Sequence, residues 1–221
     1  MNKMNTMTLT LALLTATTSH AALGAEKTFA LSAFSSVEVR QGINLSIECA
    51  ATSSMVVSGA ADTLEKLQMS TDKKALLLVN AAADNDRFVT HALNITLYTS
   101  ERLTGIIGKA GVKIIAPACA VAPSKLSVAG SMGADIQVEG QTDELALDLA
   151  MGGTFNKKPQ AFKANVATVR MSMGAESSLC HIPKINGSTS AGARLSVSPS
   201  AQVDTGVTGS FASEVSTSDC S

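Results

Sequence analysis

Met132-Gly133-Ala134, Met151-Gly152-Gly153, Met173-Gly174-Ala175, Ala191-Gly192-Ala193 and Thr208-Gly209-Ser210 are copies of one small-residue motif, with glycines 19, 22, 18 and 17 residues apart. Ahead of the first three copies stand Leu126 and Val128, then Leu145, Leu147 and Leu149, then Val169 and Met171, each set at alternate positions. Alternation with period two is the pattern of a strand with one buried face. Gly140, Pro159, Pro183 and Pro199 follow the successive glycines by seven, seven, nine and seven residues, and Gly and Pro at such places mark corners. Each copy therefore reads as a strand, a small-residue bend, a second short strand and a corner. One such unit of about twenty residues cannot bury its apolar face alone, so neighbouring units must stack and share a core.

Stacked units without helical segments predict an all-β fold of the β-solenoid kind, with a β-sandwich of short strands as the alternative. Inside it, Met132, Met151, Met173 and Ala191 are expected to stack as one interior row, with Ala134, Gly153, Ala175 and Ala193 beside them. The same grammar begins earlier, at Leu103-Thr104-Gly105-Ile106-Ile107-Gly108 and Val112-Lys113-Ile114-Ile115. Farther upstream, Val37-Glu38-Val39, Ile43 to Glu48, Met55-Val56-Val57, Leu76 to Val79 and Asn94 to Tyr98 also read as strands, less regularly spaced. Asp62 to Leu67 suggests one or two helical turns, and Ala81 to Asn85 a polar loop. No linker interrupts the chain, so residues 22–221 are expected to form one domain.

Composition narrows the class. The 221 residues are 45% hydrophobic and 16% charged, with a net charge of −1, which excludes a disordered chain and argues against a nucleic-acid partner. Six Phe, one Tyr and no Trp leave the core to aliphatic residues and Met.

The N-terminus, Met1-Asn2-Lys3-Met4, then Leu9 to Leu14, then Ser19-His20-Ala21, has the three parts of a secretory signal peptide, with cleavage expected after Ala21 and Ala25 as second choice. The apolar run is too short and threonine-rich for a membrane anchor. No membrane span is therefore expected after processing, and removal of Lys3 would leave a charge of −2. For an exported chain, Cys49, Cys119, Cys180 and Cys220 read as two disulfides. Of three possible connectivities, Cys49–Cys119 with Cys180–Cys220 is preferred, because the latter would tie down the end of the stack. Zinc-type spacing is absent.

The order Phe34 to Val39, Gly42-Ile43-Asn44-Leu45-Ser46-Ile47, Met55 to Gly59, Asp62-Thr63-Leu64 and Leu76 to Val79, followed by the Gly-Ala repeats, resembles the head GIN domain family of bacterial autotransporter adhesins. The similarity spans about residues 33 to 215. It implies a right-handed parallel β-helix and export to the envelope, and it supplies no catalytic residues. The chain differs from the family's usual repeat in placing Met where Ser commonly leads the motif. Autotransporters end in a barrel of long alternating strands, whereas this sequence ends Ser218-Asp219-Cys220-Ser221, so the expectation is a passenger-like module.

A search for chemistry yields little. Asp84-Asn85-Asp86-Arg87 is the densest acidic spot, but calcium needs six to eight oxygens, and an Asx-rich turn explains it. Asp135, Asp143, Glu144 and Asp148 are scattered around one coil. Stacking would make Asp135 a neighbour of Thr154, and Asp148 of Arg170. His91 and His181 lack a nucleophile elbow, and Gly105, Gly108 and Gly111 lack a phosphate-loop ending. The expectation is no catalytic, cofactor-binding or metal-ligating residue and no cofactor. The expected partner is a protein or glycan at the cell surface; oligomeric state is left open. A polysaccharide-active enzyme on the same scaffold is the rival.

Overall fold

The computed structural model describes residues 25–84, 92–158, 161–204, 206 and 212–217. The first part of the chain forms β1 (Ala25–Ala30), β2 (Ser36–Arg40), β3 (Ile43–Cys49), β4 (Ser54–Gly59), the one-turn helix α1 (Ala61–Leu64), β5 (Leu67–Asp72), β6 (Ala75–Asn80) and β7 (Leu93–Thr99). Then follow β8 (Gly105–Lys109), β9 (Lys113–Ala116), β10 (Lys125–Ser131), β11 (Asp135–Val138), β12 (Gly140–Leu149) and β13 (Thr154–Phe155). The last are β14 (Phe162–Met171), β15 (Glu176–Leu179), β16 (Lys184–Thr189), β17 (Arg194–Val197), β18 (Gln202–Val203) and β19 (Glu214–Ser216).

These strands make two open sheets. One has ten strands in the order β1-β4-β7-β3-β9-β11-β13-β15-β17-β19; the other has nine, β18-β16-β14-β12-β10-β8-β2-β6-β5. From β8 onward the chain changes sheet at every strand, and each strand from β10 to β17 pairs in parallel with the strands two before and two after it. This is the regularity that the repeats at Gly133, Gly152, Gly174 and Gly192 predict. The less regular first part joins the same sheets, with β2 against β8 and β3 against β9. Antiparallel β1, β4 and β5 cover that end.

Register explains the core. Val57, Ile95, Leu45, Ile114, Ile136 and Phe155 are successive partners on the inner face of the ten-stranded sheet. Leu76, Val37, Ile106, Val128, Leu147 and Val169 do the same in the nine-stranded sheet. All these side chains are buried. Each buried aliphatic side chain contributes roughly 1.5–3 kcal/mol of transfer free energy. Ala134, Ala175 and Ala193 are buried beside the bends, as expected.

The methionine row is a correction. Met132, Met151 and Met173 are 48%, 46% and 51% exposed, not interior. Their backbones are left-handed, with φ of 52°, 48° and 51°. Each is paired with a glycine of positive φ, making a tight corner whose side chain points outward. One smaller difference is local. Ala81–Asp84 forms a 3-10 turn instead of a loop, held by Asn80 Oδ1 accepting from the Ala82 N–H at 3.1 Å. Of the one or two helical turns expected over Asp62 to Leu67, the chain forms one, α1, and β5 starts at Leu67.

Cys49, at the end of β3, is bonded to Cys119 in the 3-10 turn Ala118–Ala120, a separation of 70 residues. Closing a loop of that length stabilises the fold by roughly 4 kcal/mol in the chain-entropy account. Cys180 is buried and disulfide-bonded; its expected partner, Cys220, lies outside the described residues. So do residues 1–24, which include the signal segment expected at 1–21, and Pro159 and Gly209. No described helix is long and apolar enough to cross a membrane.

Candidate functional site

The first residue of β9, β11, β13, β15, β17 and β19, and the second of β3 and β7, face away from the core of the ten-stranded sheet. Register therefore lines up one outward row: Asn94, Asn44, Lys113, Asp135, Thr154, Glu176, Arg194 and Glu214. Neighbouring strands lie ~4.8 Å apart, so the row presents a polar group at every such step. Several are fixed by their neighbours. Asn44 Nδ2 donates to Asn94 Oδ1 at 3.0 Å. Thr154 Oγ1 donates to Asp135 Oδ1 and Gln137 Nε2 to Asp135 Oδ2, both at 2.9 Å. Lys157 Nζ lies 2.6 Å from Glu176 Oε2, and Arg194 reaches Glu176 Oε1 at 3.1 Å and Glu214 at 3.8 Å. Among the described residues Lys113 has no ion-pair partner.

The hydrogen bond from Lys157 holds the Glu176 carboxyl below its ordinary value; partial burial opposes this, and the charges of Lys157 and Arg194 add to it. Glu176 thus stays ionised to lower pH than an unpartnered glutamate. On the outer face of the other sheet, partial burial pushes the Glu38 carboxyl up. Hydrogen bonds and charge from Lys109, at 2.9 Å, and Arg40, at 2.7 Å, outweigh it, and the net direction is down.

Two open grooves follow the row. One is lined by Asp135, Gln137, Thr154, Lys157 and Lys158. The other, across β3, β7 and β9, is lined by Asn44, Ser46, Asn94, Thr96, Lys113 and the exposed Ile115, among others. Amide, hydroxyl, ammonium and carboxylate groups held at sheet spacing can exchange hydrogen bonds with a sugar chain or an extended peptide.

Of the residues singled out in the sequence, Asp135 and Thr154 do become hydrogen-bonded neighbours on adjacent strands. Asp148 and Arg170 are cross-strand partners on the other sheet. Asp143 accepts from Asn165 Nδ2 at 3.0 Å, and Glu144 lies 3.6 Å from Lys125; both are away from the row. Asn85, Asp86, Arg87 and His91 lie outside the described residues, and His181 is exposed. Gly105 and Gly108 are strand residues, and Gly111 occupies a corner at φ 65°. Among the described residues no three His, Cys, Asp or Glu side chains gather as a metal site. Sequence reasoning missed Asn44, Asn94, Lys113, Glu176, Arg194 and Glu214. The signal was available for three of the six, since Lys113, Glu176 and Arg194 follow a small or apolar bend residue just as Asp135 does.

The model of a family described as "Putative auto-transporter adhesin, head GIN domain" matches residues 33–210. No curated protein matches the chain. Three crystal structures share the fold, each described as a "putative adhesin". One from Parabacteroides merdae has a TM-score of 0.58 at 12% identity, covering 89% of this chain and 96% of its own. Another from Bacteroides fragilis has 0.58 at 11%, covering 87% and 94%. A third from Parabacteroides distasonis has 0.56 at 13%, covering 88% and 98%.

Proposed function

The chain belongs to the head GIN domain family, and from that premise we propose that it is an exported, adhesin-like surface module that binds a protein or glycan partner without catalysis. In this reading residues 1–21 direct export and are removed, and residues 22–221 form one domain. The alternation of sheets from β8 to β19 supports winding as a parallel β-solenoid, and the family resemblance implies that it is right-handed. The Cys49–Cys119 disulfide is consistent with an extracellular or surface location.

The observation that carries the proposal is the in-register polar row from Asn94 to Glu214, flanked by shallow grooves. Many weak, evenly spaced hydrogen-bonding groups suit an extended ligand, because partners repeating along a chain can engage several rungs at once.

The enzymatic rival fits less well. Retaining and inverting glycosidases need two carboxyls about 5–10 Å apart, one with a raised pKa to serve as the acid. Asp135 has both oxygens occupied by Thr154 and Gln137. Glu176, two rungs away, is shifted in the opposite direction.

The test is binding of the labelled mature chain to an array of immobilised glycans and extracellular-matrix proteins. The triple change Asn44→Ala, Asp135→Ala, Thr154→Ala should weaken binding at least about tenfold. Asp148→Ala with Thr168→Ala, on the other sheet, should leave it unchanged. Equal losses from both faces, no binding by the unaltered chain, or turnover of a polysaccharide would each sink the reading.

A further inference from the structure

The outward corner beside β10, β12 and β14 is built in an unusual way. Six rungs stack there: Gln41-Gly42, Ala110-Gly111, Met132-Gly133, Met151-Gly152, Met173-Gly174 and Ala191-Gly192, every residue at positive φ. The glycine N–H of each of the first five rungs donates to the carbonyl of the next: Gly42 to Ala110, Gly111 to Met132, Gly133 to Met151, Gly152 to Met173 and Gly174 to Ala191, all at 2.9–3.1 Å. The three methionines are therefore consecutive rungs of one ladder, ~4.8 Å apart.

The backbone does not favour methionine there. The left-handed conformation costs a non-glycine residue roughly 1–2 kcal/mol and is usually given to Gly, Asn or Asp. Each side chain is about half exposed, so only part of its apolar surface is withdrawn from water. The flanking rungs carry Ala110 and Ala191, which shows that a bare methyl suffices for the corner. What the three share is the thioether, a soft, neutral sulfur donor on an arm with three rotatable bonds. Arms of that length on adjacent rungs can bring their sulfurs to a common point.

We propose that Met132, Met151 and Met173 form a thioether site for a soft monovalent cation, Cu(I) or its filled-shell analogue Ag(I). Soft sulfur ligands select such ions, whereas Mg, Ca and Zn want oxygen or nitrogen donors. No competing cluster of His, Cys, Asp or Glu stands among the described residues, and no described cysteine is a free thiol.

The test uses the purified mature chain carrying ¹³C-methyl methionine, titrated with Ag(I) and followed by NMR and calorimetry. The methyl signals of Met132, Met151 and Met173 should move together and saturate at one equivalent. Changing all three to Leu, which keeps the size and the apolar character, should weaken binding at least about tenfold. Met69→Leu, at an exposed methionine on β5, should not. Undiminished binding in the triple-Leu chain would overturn the site. So would three methyls that saturate independently, or a Met69 signal that moves in step with them. The wild-type titration decides the matter even if the triple variant misfolds.

Discussion

At the scale of single residues, backbone conformation decides what hydrophobicity alone cannot. Met132, Met151 and Met173 look like core residues by type, yet a left-handed φ turns each outward, while Ala134 and Ala175, two positions on, go in. Glycines divide the same way. Gly133, at φ 74°, has open space where a Cβ would stand. Gly187, in β16 at φ 123°, would drive a Cβ into the Val169 carbonyl on β14. It is in register with the row Val128, Leu147, Val169, but at this φ an added Cβ would point into the backbone of β14 in the same sheet. Gly133→Ala should cost about 1 kcal/mol, the conformational term alone. Gly187→Ala should cost more than the roughly 1–3 kcal/mol of a strained backbone, since β14 and β16 must also move apart. Urea unfolding of both variants measures the contrast, and equal losses would contradict the packing of Val169 over Gly187.

Between elements, parallel strands of four residues or fewer have little backbone pairing of their own. On the outer face of β15, β17 and β19 the partners are charged: Glu176 with Arg194, Arg194 with Glu214, and Lys157 from beyond β13. Exposed pairs contribute only ~0.2–1 kcal/mol each, but they are the cross-strand contacts these rungs offer to solvent. The Glu176 carboxyl is lowered in the folded chain, so the unfolded chain takes up its proton first. Its contribution is complete above the ordinary carboxylate range and is lost as pH falls through the lower folded value. Glu176→Gln should therefore flatten the fall in stability below about pH 4.5 and cost under about 1 kcal/mol at neutral pH. Thermal melts between pH 3 and 7 test it; an unchanged acid limb would show the pairs to be idle. The repeat made these rungs legible in the sequence, because Thr154, Glu176 and Arg194 each follow a bend. The antiparallel strands β1, β4 and β5 were not legible as such, since strand direction depends on distant partners and not on periodicity. Nor was the inclusion of β2 and β3: Gln41-Gly42 uses the same left-handed corner as Met132-Gly133 but shares only its glycine.

For the whole molecule, each rung touches chiefly its neighbours, so stability should vary along the stack. The two ends differ. At one, β1 and β5 each lay six residues antiparallel along the full length of β4 and β6. At the other, β18 and β19 offer two and three residues, with only part of residues 205–217 described. In the middle, β12 pairs with β14 over nine residue pairs and with β10 over six. Local opening exposes amides at a free-energy cost set by such contacts. Native-state hydrogen exchange should therefore rank the amides of β10, β12 and β14 slowest, those of β1 and β5 intermediate, and those of β18 and β19 fastest. The Cys49–Cys119 bond sharpens the asymmetry by tying β3 to the turn before β10; reducing it should speed exchange in β3 and β7 more than in β14. Uniform protection from end to end would mean that the two sheets open as one unit. The sum of neighbouring rungs would then be the wrong account of how this chain holds together.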